Sequence, residues 1–394
     1  MGMQRLSERV QGIAASEITT IRDLKLSMSG VIGLESGDPD FATPPHIKAA
    51  AKAAIDADFT HYTHNMGIQP LREAIARKVK ARNGIDADPK TEVAVTTGGM
   101  GALFITSQAV VNPGDEVLVP DPWWTSNPLQ VSMAGGTPVP VPLRTTPGKG
   151  FSLDLNDLQE RITPRTRGLI LNTPHNPTGM VIPPSQLKAI AQLAVDHDWF
   201  VWSDEAYEQI IYDGAKHLSI ASLPGMAERT ASCFTFSKSY AMPGWRIGYC
   251  IAPKEVLAQA YKVNLYSCNG INAPTQKAAL AALDGPQDFI APMVAEYQAR
   301  RDLIVKELRS MGCFSLDVPQ GAFYVLPKMV GITMPSMAFV EHMLRDGKVV
   351  TTPGAIFGPS GEGHLRFAYS FSREIIHQSM ERLRGVVTRM GVGH

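Results

Sequence analysis

Short apolar runs rich in β-branched residues recur through the middle of the chain, separated by stretches whose apolar positions return every three or four residues. The runs are Glu92–Thr96, Glu116–Val119, Thr137–Val141, Gly168–Leu171, Phe200–Ser203 and Cys233–Phe236. Helical spacing marks Gly101–Val111 and Gln186–His197 between them. Upstream it marks an alanine-rich Pro45–Asp56 and a Leu71–Arg82 segment with Leu71, Ile75 and Val79 on one side. Strand and helix in alternation predict an α/β domain whose largely parallel sheet is covered by helices on both faces. In such sheets ligands sit at the carboxyl ends of strands.

The two ends of the chain read differently. Ile18, Ile21, Leu24 and Met28 are spaced for a helix, and Gly30–Phe41 gives a short strand ending in a Gly-Asp-Pro turn. Gly37 reads there as a turn residue rather than a point of close approach. Beyond about residue 280 a long charged helix, Pro286–Met311, precedes a strand at Gly321–Leu326, a helix at Met337–Arg345, Val349-Val350 and a last strand at His364–Tyr369. The expected division is a large domain over 46–283 and a smaller α+β domain built from 1–45 and 284–394. Gly136–Gly150, rich in proline and glycine, reads as an edge strand and loop.

At 394 residues the chain is long for one hydrophobic core. Its 37 basic and 37 acidic residues cancel, which argues against a nucleic-acid surface or a polybasic membrane anchor. Cys233, Cys250, Cys268 and Cys313 are scattered and predict reduced, mostly buried thiols. The start, Met-Gly-Met-Gln-Arg-Leu, lacks a signal peptide's apolar core, and no stretch approaches the roughly 20 apolar residues of a membrane span. A soluble, cytoplasmic protein is expected.

The chemistry concentrates after the strands. Lys238 lies between Ser237 and Ser239, eight residues before Arg246. A lysine can form a Schiff base with an aldehyde, while a serine and an arginine's planar fork grip a phosphate. Asn176 is flanked by His175 and Pro177 in Asn172-Thr-Pro-His-Asn-Pro-Thr-Gly179 and offers a neutral donor. Asp204 ends an apolar run, and a buried carboxylate needs a partner such as a protonated pyridine nitrogen. His61 and His64 have no clustered Cys, Asp or Glu nearby, so no metal is expected. His175 reads as a loop histidine.

These motifs, in this order, resemble the class I and II aminotransferases of pyridoxal-phosphate fold type I, and most closely the prokaryotic aspartate aminotransferase subgroup. The matching blocks are Gly37–Phe41, Thr97–Leu103, Asn176–Gly179, Asp204–Tyr207, Ser237–Gly248 and Leu365–Tyr369. The resemblance implies a seven-stranded large domain that binds pyridoxal 5'-phosphate. Lys238 would be Schiff base and proton shuttle, Asp204 the partner of the pyridine nitrogen, and Tyr207 and Asn176 donors to the phenolic oxygen. Gly99 and Met100, at the start of the helix expected from Gly101, would hold the phosphate with Ser237 and Arg246, and Trp124 would stack on the ring. Arg366 would bind the substrate α-carboxylate with help from the Gly37 backbone. Tyr62 would reach the phosphate of a second subunit, which implies a homodimer with shared sites.

The implied reaction moves an amino group between an L-amino acid and a 2-oxo acid in two half-reactions. Met100 stands where the subgroup can carry a lysine for an acidic side chain. A thioether favours apolar contacts, so the expectation shifts toward a neutral or aromatic donor. A lyase of the carbon–sulfur β-lyase type would share the same cofactor site, because the substrate decides the fate of the carbanion. The effector domain of a transcriptional regulator is a third reading, and Gly37 lies too near the start to leave room for a DNA-binding module.

Overall fold

The computed structural model describes residues 6–13, 17–146 and 150–392. Expectations about the first five residues and the tip of the Gly136–Gly150 loop lie outside them.

An eight-stranded sheet runs in the order Val93–Thr96, Gly248–Ile251, Thr230–Thr235, Phe200–Asp204, Thr166–Asn172, Glu116–Asp121, Thr137–Thr146, Gly150–Leu153. The strands from Thr230–Thr235 through Thr137–Thr146 are parallel. Gly248–Ile251 is antiparallel to both neighbours, and Gly150–Leu153 is antiparallel to its one partner. Neither belongs to the apolar runs read from the sequence, because four residues are too few to show a period. The sheet therefore has eight strands where seven are expected.

Central strands are buried along their whole length, as a sheet covered on both faces requires. Successive residues face opposite layers. Ile170 and Trp202 pack with Ala102, Leu103 and Ile105 of helix Gly98–Val110. Leu169, Leu171 and Val201 pack with Leu187, Ile190 and Ala194 of helix Pro184–Asp196. Helices Lys254–Cys268 and Ala273–Asp284 complete the covering. No apolar run announces them.

Smaller sheets pair Ile32–Gly33 with Val349–Val350 in parallel, and Tyr324–Val325 and Thr352–Pro353 with Leu365–Ala368 in antiparallel. Helices Ile290–Arg309, Ser336–Gly347 and Arg373–Arg389 pack on them through Ile304, Phe339 and Met380. Ile21, from helix Glu17–Leu26, joins the same core. The strand expected over Gly321–Leu326 shrinks to Tyr324–Val325. All four cysteines are free, with Cys268 exposed. Among the described residues no helix is long and apolar enough to cross a membrane.

Thr235 and Gly248 are register partners, so residues 236–247 form a loop closed at its base by paired strands. Ser237, Lys238 and Arg246 all lie on this loop.

Candidate active site

At the carboxyl ends of the parallel strands lies a cavity of about 510 Å³. Gly37, Gly99, Met100, Trp124, Asn176, Asp204, Tyr207, Ser237, Lys238, Arg246 and Arg366 all line it. Tyr62 does not, and is 88% exposed.

Lys238 Nζ donates to the Gly37 carbonyl at 2.6 Å and lies over the Phe323 ring at 5.5 Å. Burial lowers its ammonium pKa to about 8, against the pull of Asp38. Asp204, at the end of its strand, is buried, and no cation among the described residues lies within ion-pair distance. Its Oδ1 accepts only from Ala206 N, at 3.3 Å, and burial pushes its carboxyl up to about 7. A carboxylate so placed suits a cationic ring nitrogen.

The opposite end of the cavity suits an anion. Helix Gly98–Val110 begins three residues earlier than expected, which makes Gly99 and Met100 first-turn residues. Its N-cap, Thr97, makes no side-chain capping bond, so the first-turn amides stay free for a ligand. The Arg246 guanidinium lies against this terminus: a Cβ on Gly98 would sit 2.7 Å from Arg246 Nη2. Gly98 has φ +71, and Arg246 itself has φ +51. Thr235, not singled out in the sequence, orders the loop by donating to Ser237 Oγ at 2.8 Å and accepting from Ser237 N at 3.1 Å.

Arg366 is 3% exposed, sandwiched between the rings of Tyr324 (4.5 Å) and Phe357 (4.7 Å). It donates to Asn176 Oδ1 at 3.0 Å, the Glu35 carbonyl at 2.6 Å and Thr352 Oγ1 at 3.2 Å, while its Nε has no partner. A buried guanidinium with an unused donor is made for a carboxylate. Since Asn176 Oδ1 is occupied, what that residue offers a ligand is its NH₂ donor. Tyr207 shares a hydrogen bond of 2.9 Å with Tyr324, and burial keeps its phenol protonated.

Tyr324 also explains Gly37. A Cβ at Gly37 would lie 1.8 Å from Tyr324 Oη, so close approach, not turn formation, demands the glycine. Tyr324 was legible only as part of an apolar strand. His175 does sit in a loop but is 2% exposed, with its ring on Thr178 Oγ1 at 2.8 Å, and burial pushes it down to about 3. His64 Nδ1 accepts from Met66 N at 3.2 Å. Glu205, Glu208 and His217 are close enough together to hold a cation, but the Lys78 ammonium already sits on Glu208.

The family model for aminotransferases of class I and II matches residues 29–383. The chain is 42% identical over 384 residues to aromatic-amino-acid aminotransferase 2 of Thermococcus litoralis, covering 97% of this chain and 98% of that one. It is 41% identical to an aspartate aminotransferase of Pyrococcus abyssi over the same shares. The solved aspartate aminotransferase of Thermus thermophilus with maleate superimposes with a TM-score of 0.92 at 38% identity, over 98% of this chain and 100% of that chain.

Proposed function

The chain belongs to the class I and II aminotransferases, and from that premise we propose that its cavity holds pyridoxal 5'-phosphate on Lys238 and serves an L-amino acid and a 2-oxo acid in turn. When bound, the cofactor supplies the carbonyl carbon for the lysine and a ring that takes up electrons from the substrate α-carbon. Lys238, with its amine neutral in much of the population near pH 8, would be the nucleophile that holds the cofactor and the group that carries a proton at Nζ. Asp204 would hold the ring nitrogen as a cation. The amides of Gly99 and Met100, the Ser237 hydroxyl and Arg246 would hold the phosphate. Tyr207 and Asn176 would donate to the phenolic oxygen, Trp124 would pack on the ring, and Arg366 would bind the α-carboxylate of donor and acceptor alike.

One observation carries the reading. A buried lysine, a buried carboxylate without a cation and a buried arginine with an unused Nε surround a single cavity. Among the cavity's described cations, Lys238, Arg246 and Arg366 each have a task, and Met100 and Leu103 add apolar wall. That supports a neutral or aromatic donor over an acidic one. The reading includes a homodimer, supported by the exposure of Tyr62, which would reach the phosphate of a second copy. It includes cytoplasmic residence, supported by the free cysteines. It also includes the division into a large domain over 46–283 and a small one from 1–45 and 284–394, supported by the core around Phe339 and Phe367, which is drawn mostly from the two outer segments and is joined from the large domain by Tyr207, Ile210 and Tyr212.

Borohydride added to the protein with pyridoxal phosphate should fix the cofactor's mass on the peptide containing Lys238. Amino acids titrated into the holoenzyme should then change its absorbance, phenylalanine and neutral donors at lower concentration than aspartate. An unlabelled Lys238, or aspartate as the best donor with phenylalanine inert, would overturn this assignment.

A further inference from the structure

Tyr324 stands where three parts of the cavity meet, and none of the steps above uses it. Its strand pairs with Leu365–Ala368 so that Tyr324 lies opposite Ala368. Ala368 and Arg366, two residues apart, share a face of their strand, which brings the Tyr324 ring to the Arg366 guanidinium at 4.5 Å. Beyond the ring, its hydroxyl meets the Tyr207 hydroxyl at 2.9 Å and fills the space that a Cβ on Gly37 would need. The two tyrosines pack edge to face, at 87° with ring centroids 5.7 Å apart, and both are buried.

We propose that Tyr324 is a positioning residue of the transamination site, donating its hydroxyl proton to Tyr207 so that the single proton of Tyr207 is left for the cofactor's phenolic oxygen. The inference rests on the assignment of Tyr207 to that oxygen. Proton counting leads to it. A phenol has one proton to give and an oxygen that accepts. Were Tyr207 the donor in its bond to Tyr324, it would have no proton for a ligand and would turn a lone pair toward an anionic oxygen. Neither hydroxyl has a second hydrogen-bond partner among the described residues, so no third group dictates the direction of the bond.

Arg366 favours one direction. A guanidinium lying on the Tyr324 ring draws electron density from its hydroxyl and makes it the better donor of the two. The cation over the Tyr207 ring, Lys238 Nζ, stands farther off at 5.8 Å, and its amine is the one committed to the cofactor. Burial raises both phenols, so both keep their protons, and Arg366 opposes the rise. Asp204 and Asp38 also face the pair, and removing the Tyr324 hydroxyl leaves every one of these charges in place.

The experiment compares wild-type and Tyr324→Phe holoenzyme, following the bound cofactor's absorbance against pH before any substrate is added, with circular dichroism to confirm folding. A donor on the phenolic oxygen favours the form in which the nitrogen shared with Lys238 has lost its proton. Tyr324→Phe keeps the ring on Arg366 but weakens that donor. The midpoint of the absorbance change should therefore rise by about half a pH unit, roughly threefold in proton affinity. In a Tyr207→Phe background, whose own midpoint should already be raised, Tyr324→Phe should shift nothing further, since the route runs through Tyr207. Tyr324→Leu, which also lacks the hydroxyl, should raise the midpoint as well and serves if Tyr324→Phe does not fold. An unchanged or lowered midpoint in either folded variant, or an equal shift without the Tyr207 hydroxyl, overturns the proposal. A wild-type protein that never takes the cofactor onto Lys238, or a midpoint indifferent to Tyr207→Phe alone, overturns the underlying assignment instead.

Discussion

Lys238 and Asp204 depart from their ordinary behaviour in opposite directions for one reason: burial penalises whichever form is charged, bringing the lysine down to about 8 and the carboxyl up to about 7. Capture of pyridoxal phosphate by the cofactor-free protein should therefore quicken as pH rises through about 8, measured by stopped-flow absorbance, and Lys238→Ala should abolish it. Asp204 also couples folding to pH. Its unfolded carboxyl titrates near 3.8 whereas the folded one keeps its proton to about 7, so the cofactor-free protein loses stability as pH climbs across that window and levels off above it. Asp204→Asn should escape the loss and gain up to about 4 kcal/mol over wild type between pH 4 and pH 8 in urea unfolding. Arg366→Lys keeps a charge but not the fork. It should raise KM for donor and acceptor together by about tenfold or more, with the bound cofactor's absorbance unaltered.

At the scale of elements, helix Gly98–Val110 shows what a sequence reveals and what it hides. The alternation of strand and helix was plain, and helix Pro45–Asp56 matches its expected bounds. The true start of Gly98–Val110 was hidden because two glycines in a row imply a turn, while here the first of them, Gly98, lets the backbone meet the Arg246 guanidinium. Gly98→Ala places a methyl group against that guanidinium at positive φ. It should weaken cofactor affinity by at least about tenfold, read by dialysis, and cost about 1–3 kcal/mol of stability. Candidate residues that line the cavity were legible wherever chemistry dictates residue type, as at Lys238, Asp204 and Arg366. Tyr324 was not, because what singles it out is its pairing with Tyr207, which only the folded chain brings about.

Across the whole molecule the cavity is assembled from parts far apart in sequence. Arg366 reaches Glu35 and Asn176, and Asp121, at the end of a central strand, accepts from Ser360 N and Oγ close to Phe357. Tyr62 is the exception, facing solvent in the single chain. Sedimentation should give a dimer, and Tyr62→Ala should raise the cofactor's dissociation constant about tenfold while leaving the melting temperature of cofactor-free protein unchanged. Lys238 and Arg246, by contrast, hang from the same closed loop between Thr235 and Gly248. A bend in that ribbon moves both side chains together, like two teeth on one comb. With the cofactor held as proposed, whatever disturbs this loop would loosen covalent bond and ionic grip at once.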